Sequence, residues 1–213
     1  MQNNLLIYHD LIAGIVEAMD ARDPYTATHS MRVSDLTEQI CCFLGLIKED
    51  AETIHIAAHV HDIGKIGVPD SILTKASALS EDEWGIMKSH SDIGYNIINK
   101  IEGFGEIARI VRHHHEKWNG KGYPDGLVGD DIPFGSRIIT IADSIDAMLN
   151  DRIYRKAMPL EQCRYEIERN MGIIYDTDIA VAVLQNWNAF HWYTLSAPRS
   201  STITVTDFES KVK

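Results

Sequence analysis

The sequence predicts an all-α domain, and three observations carry that expectation. Apolar residues recur at helical spacing in one stretch after another. Residues that start or stop helices, among them Pro24, Gly45, Ser80 and Pro159, fall between those stretches. Alternation of period two is confined to a short segment near the end, Thr202 to Val205.

Leu5 to Ala21 carries Leu5, Leu11, Ile12, Ile15, Val16 and Met19 with no breaker before Pro24, and predicts a first helix. A second is expected from about Thr26 to Leu44, with Met31, Val33, Leu36, Ile40 and Phe43 inward and Gly45 as the stop. His29 falls in its first turn. A third runs from Glu49 to about Asp62 on Ile54, Ala57, Ala58 and Val60, and its His55 and His59 read as a structural pair. Pro69 to Ala78 reads as a loop, after which Ser80 and Glu83 form a capping box for a helix through about Lys88. Helices follow at Ile93 to Ile101, just after His90, and at Phe104 to about Glu116, which ends in His113-His114-His115. Trp118 to Gly135 holds five glycines and two prolines, so it is either a long ordered loop or a disordered one. Ser136 to Leu149 is helical and sets Asp143 and Asp146 three apart on one face. Pro159 suits the first turn of a helix reaching about Asn170, and Thr177 to Trp187 gives the last helix.

The 213 residues suffice for one domain, expected over 1–194, with 195–213 a peripheral or frayed polar tail. Apolar content of 45% is ordinary for a core, and no run approaches the ~20 residues of a membrane span. The start, Met1-Gln2-Asn3-Asn4, lacks the basic and apolar blocks of a signal peptide. Cys41, Cys42 and Cys163 are odd in number without CxxC spacing, which reads as thiols of a reducing compartment. The chain is therefore expected in the cytoplasm. A net charge of −11 argues against a nucleic-acid polymer as partner, while a small phosphate-bearing substrate fits if metal ions supply the positive field.

Of ten histidines, seven lie between His55 and His115. The focus is His61-Asp62-Ile63-Gly64-Lys65-Ile66-Gly67, which joins an imidazole to a carboxylate at a helix end. Neighbouring helical residues point about 100° apart, so both reach one metal only if that end is loosened. With two oxygens, Asp62 can also bridge two metals. Collected with it, His29, His61, His90, His114, His115 and Asp143 fall on or at the ends of five helical segments, as ligands in helix bundles do. Five imidazoles and two carboxylates without a thiolate suit two mid-to-late first-row ions, not calcium or magnesium. Bridged by Asp62 and a hydroxide, such a pair gives a nucleophile at neutral pH and a clamp on phosphate. The alternative is a set of satisfied core histidines and surface ones.

Over about residues 5 to 185 the chain resembles the HD-GYP domain, a branch of the HD metal-dependent phosphohydrolases. The matching blocks run from Ala21-Arg22-Asp23-Pro24-Tyr25-Thr26-Ala27-Thr28-His29-Ser30 through His61 to Asp70 to Met87-Lys88-Ser89-His90. They continue through His114 to Pro124, with Gly122-Tyr123-Pro124, to Ile141-Ala142-Asp143-Ser144-Ile145-Asp146-Ala147 and Asp151-Arg152-Ile153-Tyr154-Arg155. The resemblance implies an HD-domain bundle of roughly seven or more helices with a long ordered GYP loop. It implies hydrolysis of cyclic di-GMP to linear pGpG, GMP or both, by a metal-bridging hydroxide attacking phosphorus.

The family's metal positions fall on the same seven residues and call for two divalent transition ions, iron or manganese first, then zinc, cobalt or nickel. His113 is left as an extra histidine. Lys65, Tyr123, Arg152 and Arg155 are implied as phosphate or substrate contacts, and Asp146 as a catalytic helper near the bridging water or a nearby cation. Expected partners are cyclic di-GMP or a related cyclic dinucleotide, a sensor or receiver domain outside this chain, and a second copy in a homodimer. Three positions depart from the family. Tyr25 replaces a glutamate that holds a third metal in some relatives, which favours a binuclear centre. Asn119 stands where an aspartate follows the tryptophan, and Thr177 replaces a proline. Two alternatives stand beside the main reading: the same chemistry on a mixed GMP-AMP cyclic dinucleotide, and a catalytically silent binding module.

Overall fold

The computed structural model describes residues 28–151 and 156–192, with positions 12, 14–16 and 18 of the first helical stretch. Those isolated positions are helical, and Ile12 and Val16 are buried. The rest of the expected helix over Leu5 to Ala21, the alternation at Thr202 to Val205 and the boundary after residue 194 lie outside the described residues.

The first complete helix, α1 (His29–Phe43), turns Val33, Leu36 and Ile40 fully inward and stops before Gly45, whose φ of +67° suits a residue without a side chain. Met31, expected on that face, is 43% exposed. It lies two residues from both His29 and Val33, about 200° around the helix from each. Helix α2 (Lys48–Val60) packs against α1 and buries Ile54, Ala57 and Ala58. It ends one residue before His61, and the chain tightens into a 3-10 turn at Ile63–Gly67. This is the loosened end that the His61-Asp62 pair requires.

A single turn, α3 (Asp70–Leu73), interrupts the stretch expected as a loop; four residues are too few to leave a periodic signal. Helix α4 (Glu81–Lys88) opens on the expected box: Glu83 N donates to Ser80 Oγ at 3.3 Å, and Ser80 N donates to Glu83 Oε2 at 2.8 Å. Helices α5 (His90–Ile98) and α6 (Gly105–Arg112) follow. The centre of the bundle is α7 (Phe134–Leu149). Its Ile138, Ile139, Ile141, Ala142 and Ile145 are all buried, too broad a surface for one partner, and it meets α1, α2 and α6. Helix α8 (Leu160–Arg169) starts directly after Pro159, and α9 (Thr177–Gln185) is capped by Asp176, which accepts from Asp178 N at 2.8 Å.

The glycine-rich segment after α6 is an ordered loop. Trp118 N and Asn119 N donate to Ile174 O and Ile173 O, each at 3.0 Å, and Gly129 N donates to Trp118 O at 3.0 Å. Arg137 lies over the Trp118 ring at 5.6 Å and reaches Asp130 and Asp176, both at 2.8 Å. Every regular element among the described residues is a helix, without a strand, as expected for the HD-GYP bundle. Cys41, Cys42 and Cys163 are free, and burial pushes the Cys41 thiol up to about 12, which leaves it unreactive. Among the described residues, no helix is long and apolar enough to cross a membrane.

Candidate metal centre

Helix ends deliver the polar side chains. His29 opens α1, His61 closes α2, Asp62 leads into the 3-10 turn, and His90 opens α5. His114 and His115 follow α6, and Asp143 lies on α7. The final carbonyls of a helix lack partners within it, and three histidines use those carbonyls. Nδ1–H donates from His61 to Ala58 O at 2.7 Å, from His90 to Met87 O at 2.7 Å and from His114 to Val111 O at 2.6 Å. Each bond fixes the tautomer and turns an Nε2 lone pair inward, as metal-binding imidazoles require. His61 Nε2 is buried and takes no hydrogen bond.

These side chains gather in two sets whose ligand atoms lie within 4.8 Å of one another: Asp62, His90, His114 and His115 in one, His29, His61 and Asp143 in the other. Asp62 lies between them. Its Oδ1 is 3.6 Å from His90 Nε2, and its Oδ2 is 3.4 Å from His61 Nε2 and 3.7 Å from His29 Nε2. His29 Nε2 is 3.4 Å from Asp143 Oδ1, and the Nε2 atoms of His90 and His114 are 3.4 Å apart. Two ligands each ~2.1 Å from one ion stand about 3–3.5 Å apart, so the spacing fits transition ions. The buried, unbonded Nε2 of His61 and a thiolate-free donor set point the same way.

Lys65 donates to Asp62 Oδ2 at 2.6 Å and is partly exposed at the rim. Asp146 is the residue expected as a helper near the bridging water or a nearby cation. It takes the other edge of His29, with Nδ1 donating to its Oδ2 at 2.7 Å. Its oxygens also accept from Arg32 Nε at 2.5 Å, Arg32 Nη2 at 3.1 Å and Asn150 Nδ2 at 2.9 Å. Asp143 and Asp146, one turn apart on α7, thus hold opposite edges of one imidazole. Arg32 was missed in the sequence, although its place three residues after His29 on one helix face is the signal that marks it. Tyr123 lies beside the centre, its ring 4.7 Å from that of His115. Arg152, Arg155 and Tyr25 lie outside the described residues.

Burial disfavours imidazolium and holds His90 below the ordinary histidine value, His114 and His115 well below it, so all three keep lone pairs at neutral pH. Burial opposes the charge on Asp62, but Lys65 first, then His61 and His90, hold its carboxyl well below the usual range. Burial pulls His61 down as well, and the charges of Asp62 and Asp143 outweigh it and raise that imidazole. The phenol of Tyr123 is pushed up by burial and by both carboxylates.

The GYP loop is fastened under the centre. A Cβ on Gly122 would lie 2.4 Å from Glu116 Cα and from Lys117 N, so only glycine brings Tyr123 this close. Buried Glu116 accepts from Asp125 N at 2.8 Å and Gly126 N at 2.9 Å. Arg112 and His113 both bond Asp125, and His113 belongs to neither ligand set. Asn119 Oδ1 accepts from Lys121 N at 3.0 Å, a bond the neutral amide makes without the family's charge. His55 and His59 stack edge to face at 4.7 Å, apart from both sets.

A helical bundle that brings five imidazoles and two carboxylates together, all but Asp143 from helix ends, defines a helical metal-site protein. The family model described as HD domain matches residues 15–179. The chain is 36% identical over 191 residues to "3'3'-cGAMP-specific phosphodiesterase 2" of Vibrio cholerae serotype O1, across 89% of this chain and 37% of that protein. It is 38% identical over 186 residues to a "Cyclic di-GMP phosphodiesterase" of Thermotoga maritima, across 84% of this chain and 50% of that one. The crystal structure of a cyclic GMP-AMP specific phosphodiesterase of V. cholerae, V-cGAP3, shares the fold with a TM-score of 0.67 at 18% identity, across 95% of this chain and 52% of that chain. The chain thus spans about half or less of the length of these relatives. It belongs to the HD domain family.

Proposed function

We propose that this chain is a metal-dependent phosphodiesterase of cyclic dinucleotides, with cyclic di-GMP as first substrate and pGpG or GMP as product. The observation that carries this reading is the pair of adjacent ligand sets with the Asp62 carboxylate between them. Two divalent transition ions held there supply Lewis acidity toward phosphate oxygens and a water of lowered pKa as nucleophile. Asp62, His90, His114 and His115 would hold one, and His29, His61 and Asp143, beside Asp62, would hold the other. The imidazole-rich set suits transition ions over calcium or magnesium, and the family pattern puts iron or manganese first, then zinc, cobalt or nickel.

Around the ions the chain's own groups serve the phosphodiester. Lys65, held against Asp62 and partly exposed, neutralises a non-bridging oxygen or the departing 3′ oxygen. Tyr123, kept protonated by burial, donates to a phosphate oxygen. Arg152 and Arg155 fork onto the phosphate as in the family pattern. Asp146 acts through His29 as a positioning residue. The substrate class is supported by the names of the relatives, which act on cyclic di-GMP or on 3'3'-cGAMP. The Vibrio relative favours a second reading, the same hydrolysis of a mixed GMP-AMP ring. A silent binding module is disfavoured by the assembled ligand sets and by a loop that Asn119 still anchors.

The test is incubation of protein purified without oxygen, with iron or manganese supplied, with cyclic di-GMP and with 3'3'-cGAMP, followed by chromatography of the products. Linear dinucleotide or mononucleotide supports the proposal, and the faster ring names the substrate. A protein that binds either ring for hours and leaves it intact is a receptor instead.

A further inference from the structure

Helix α4 carries a feature that the metal centre does not use. None of its residues is buried, yet it bears a tryptophan, and Trp84 is 46% exposed. The ring is not adrift. It meets Tyr123 at 6.3 Å between centroids and 79° between planes. Lys88, one turn further along the same face, sets its ammonium 5.9 Å from the centre of the same Tyr123 ring. The Trp84-Lys88 face of α4 is therefore turned toward the GYP loop. Tyr123 in turn lies 4.7 Å from His115 and 6.3 Å from His90, both in one ligand set. Imidazole, phenol and indole form a continuous line of ring contacts from the metal centre to solvent. A tryptophan serving only to support Tyr123 would be covered by the loop it supports. With 46% of its surface exposed, Trp84 is the solvent end of that line.

We propose that Trp84 is a stacking platform for a nucleobase of the substrate, holding one purine beside the centre while the phosphodiester sits at His115 and Tyr123. The proposal rests on the reading that the substrate is a cyclic dinucleotide. It adds where affinity for the base arises and what kind of affinity that is. Every base has a π face, so stacking is tolerant of base identity. Trp84 then strengthens binding of guanine and adenine rings alike, and discrimination between the two dinucleotides must arise elsewhere.

The experiment compares Trp84→Leu, which keeps apolar bulk, with Trp84→Tyr, which keeps a π face. KM and kcat are measured on cyclic di-GMP and 3'3'-cGAMP, with melting temperature and bound metal as controls. Stacking predicts that Trp84→Leu raises KM by about fivefold to about 150-fold for both rings, the range expected for loss of one stacked base, with kcat, metal content and melting temperature retained. Trp84→Tyr recovers most of that loss. An unchanged KM in Trp84→Leu overturns the proposal, as does a fall in kcat alone, which marks a support for Tyr123. Loss of metal or stability in Trp84→Leu marks a structural role and overturns it too. If the unaltered protein neither binds nor cleaves either ring, the phosphodiesterase reading itself fails and takes this one with it. Normal cleavage with an indifferent Trp84→Leu sinks the stacking role alone.

Discussion

Four of the five histidines of the centre are fixed by the bond on the far nitrogen. Carbonyls of Ala58, Met87 and Val111 fix His61, His90 and His114, while His29 is fixed by a carboxylate that Arg32 and Asn150 hold in turn. A carboxylate behind a metal-binding imidazole orients the ring and raises its basicity, and its loss typically costs about 10–100-fold in metal affinity. Asp146→Ala is therefore expected to weaken binding of one of the two ions by about that factor, measured by competition with a chromogenic chelator, while the His90 set keeps its ion. Equal weakening of both ions, or of neither, contradicts the positioning role. This residue pair also marks a limit of sequence reading. Asp143 and Asp146 were legible as one helix face, but their opposite duties follow from α1 lying across α7, a contact between residues over a hundred positions apart.

At the scale of elements, the centre depends on backbones that approach too closely for any side chain. In the 3-10 turn, a Cβ on Gly64 would fall 1.8 Å from His90 O, so this glycine lets the Asp62 segment lie against α5. Gly122 does the same for the GYP loop against Glu116 and Lys117. Gly122→Ala forces backbone apart and is expected to cost about 1–3 kcal/mol, with a lowered melting temperature and a fall in kcat/KM as Tyr123 moves off His115. A variant with unchanged melting temperature and kinetics contradicts the close-packing argument. Most helices were legible because their apolar stripes repeat, and the capping box at Ser80 and the stop at Gly45 stand where the sequence puts them. The single turn α3 was not, since one turn has no period, and Met31 misled because an apolar residue off the stripe resembles one on it. Whether the glycine-rich loop is ordered was beyond local sequence, because its anchors Ile173 and Ile174 lie more than fifty residues downstream of Asn119 and Trp118.

For the whole molecule, gathering so many imidazoles indoors ties stability to pH. His90, His114 and His115 have folded values below the ordinary 6.5, so below that pH the unfolded chain takes up protons that the fold refuses. With more protons bound in the unfolded state, stability is full above 6.5 and falls as pH drops toward the folded values; His61, shifted upward, offsets part of the loss. The metal-free protein is expected to melt at progressively lower temperature from about pH 7.5 to about pH 5.5, and bound metal flattens the curve. A metal-free melting temperature that stays level or rises over this range contradicts the account. The seven residues that gather here were legible, six from their places at helix ends and all from the family's blocks, whereas their division into two sets around Asp62 required the packed bundle. That division is the central claim, and elemental analysis of the protein purified without oxygen tests it most directly. The account predicts about two divalent transition ions per chain in the unaltered protein and loss of both, with all turnover, in Asp62→Ala. A single ion per chain, or full metal content and activity in Asp62→Ala, contradicts it.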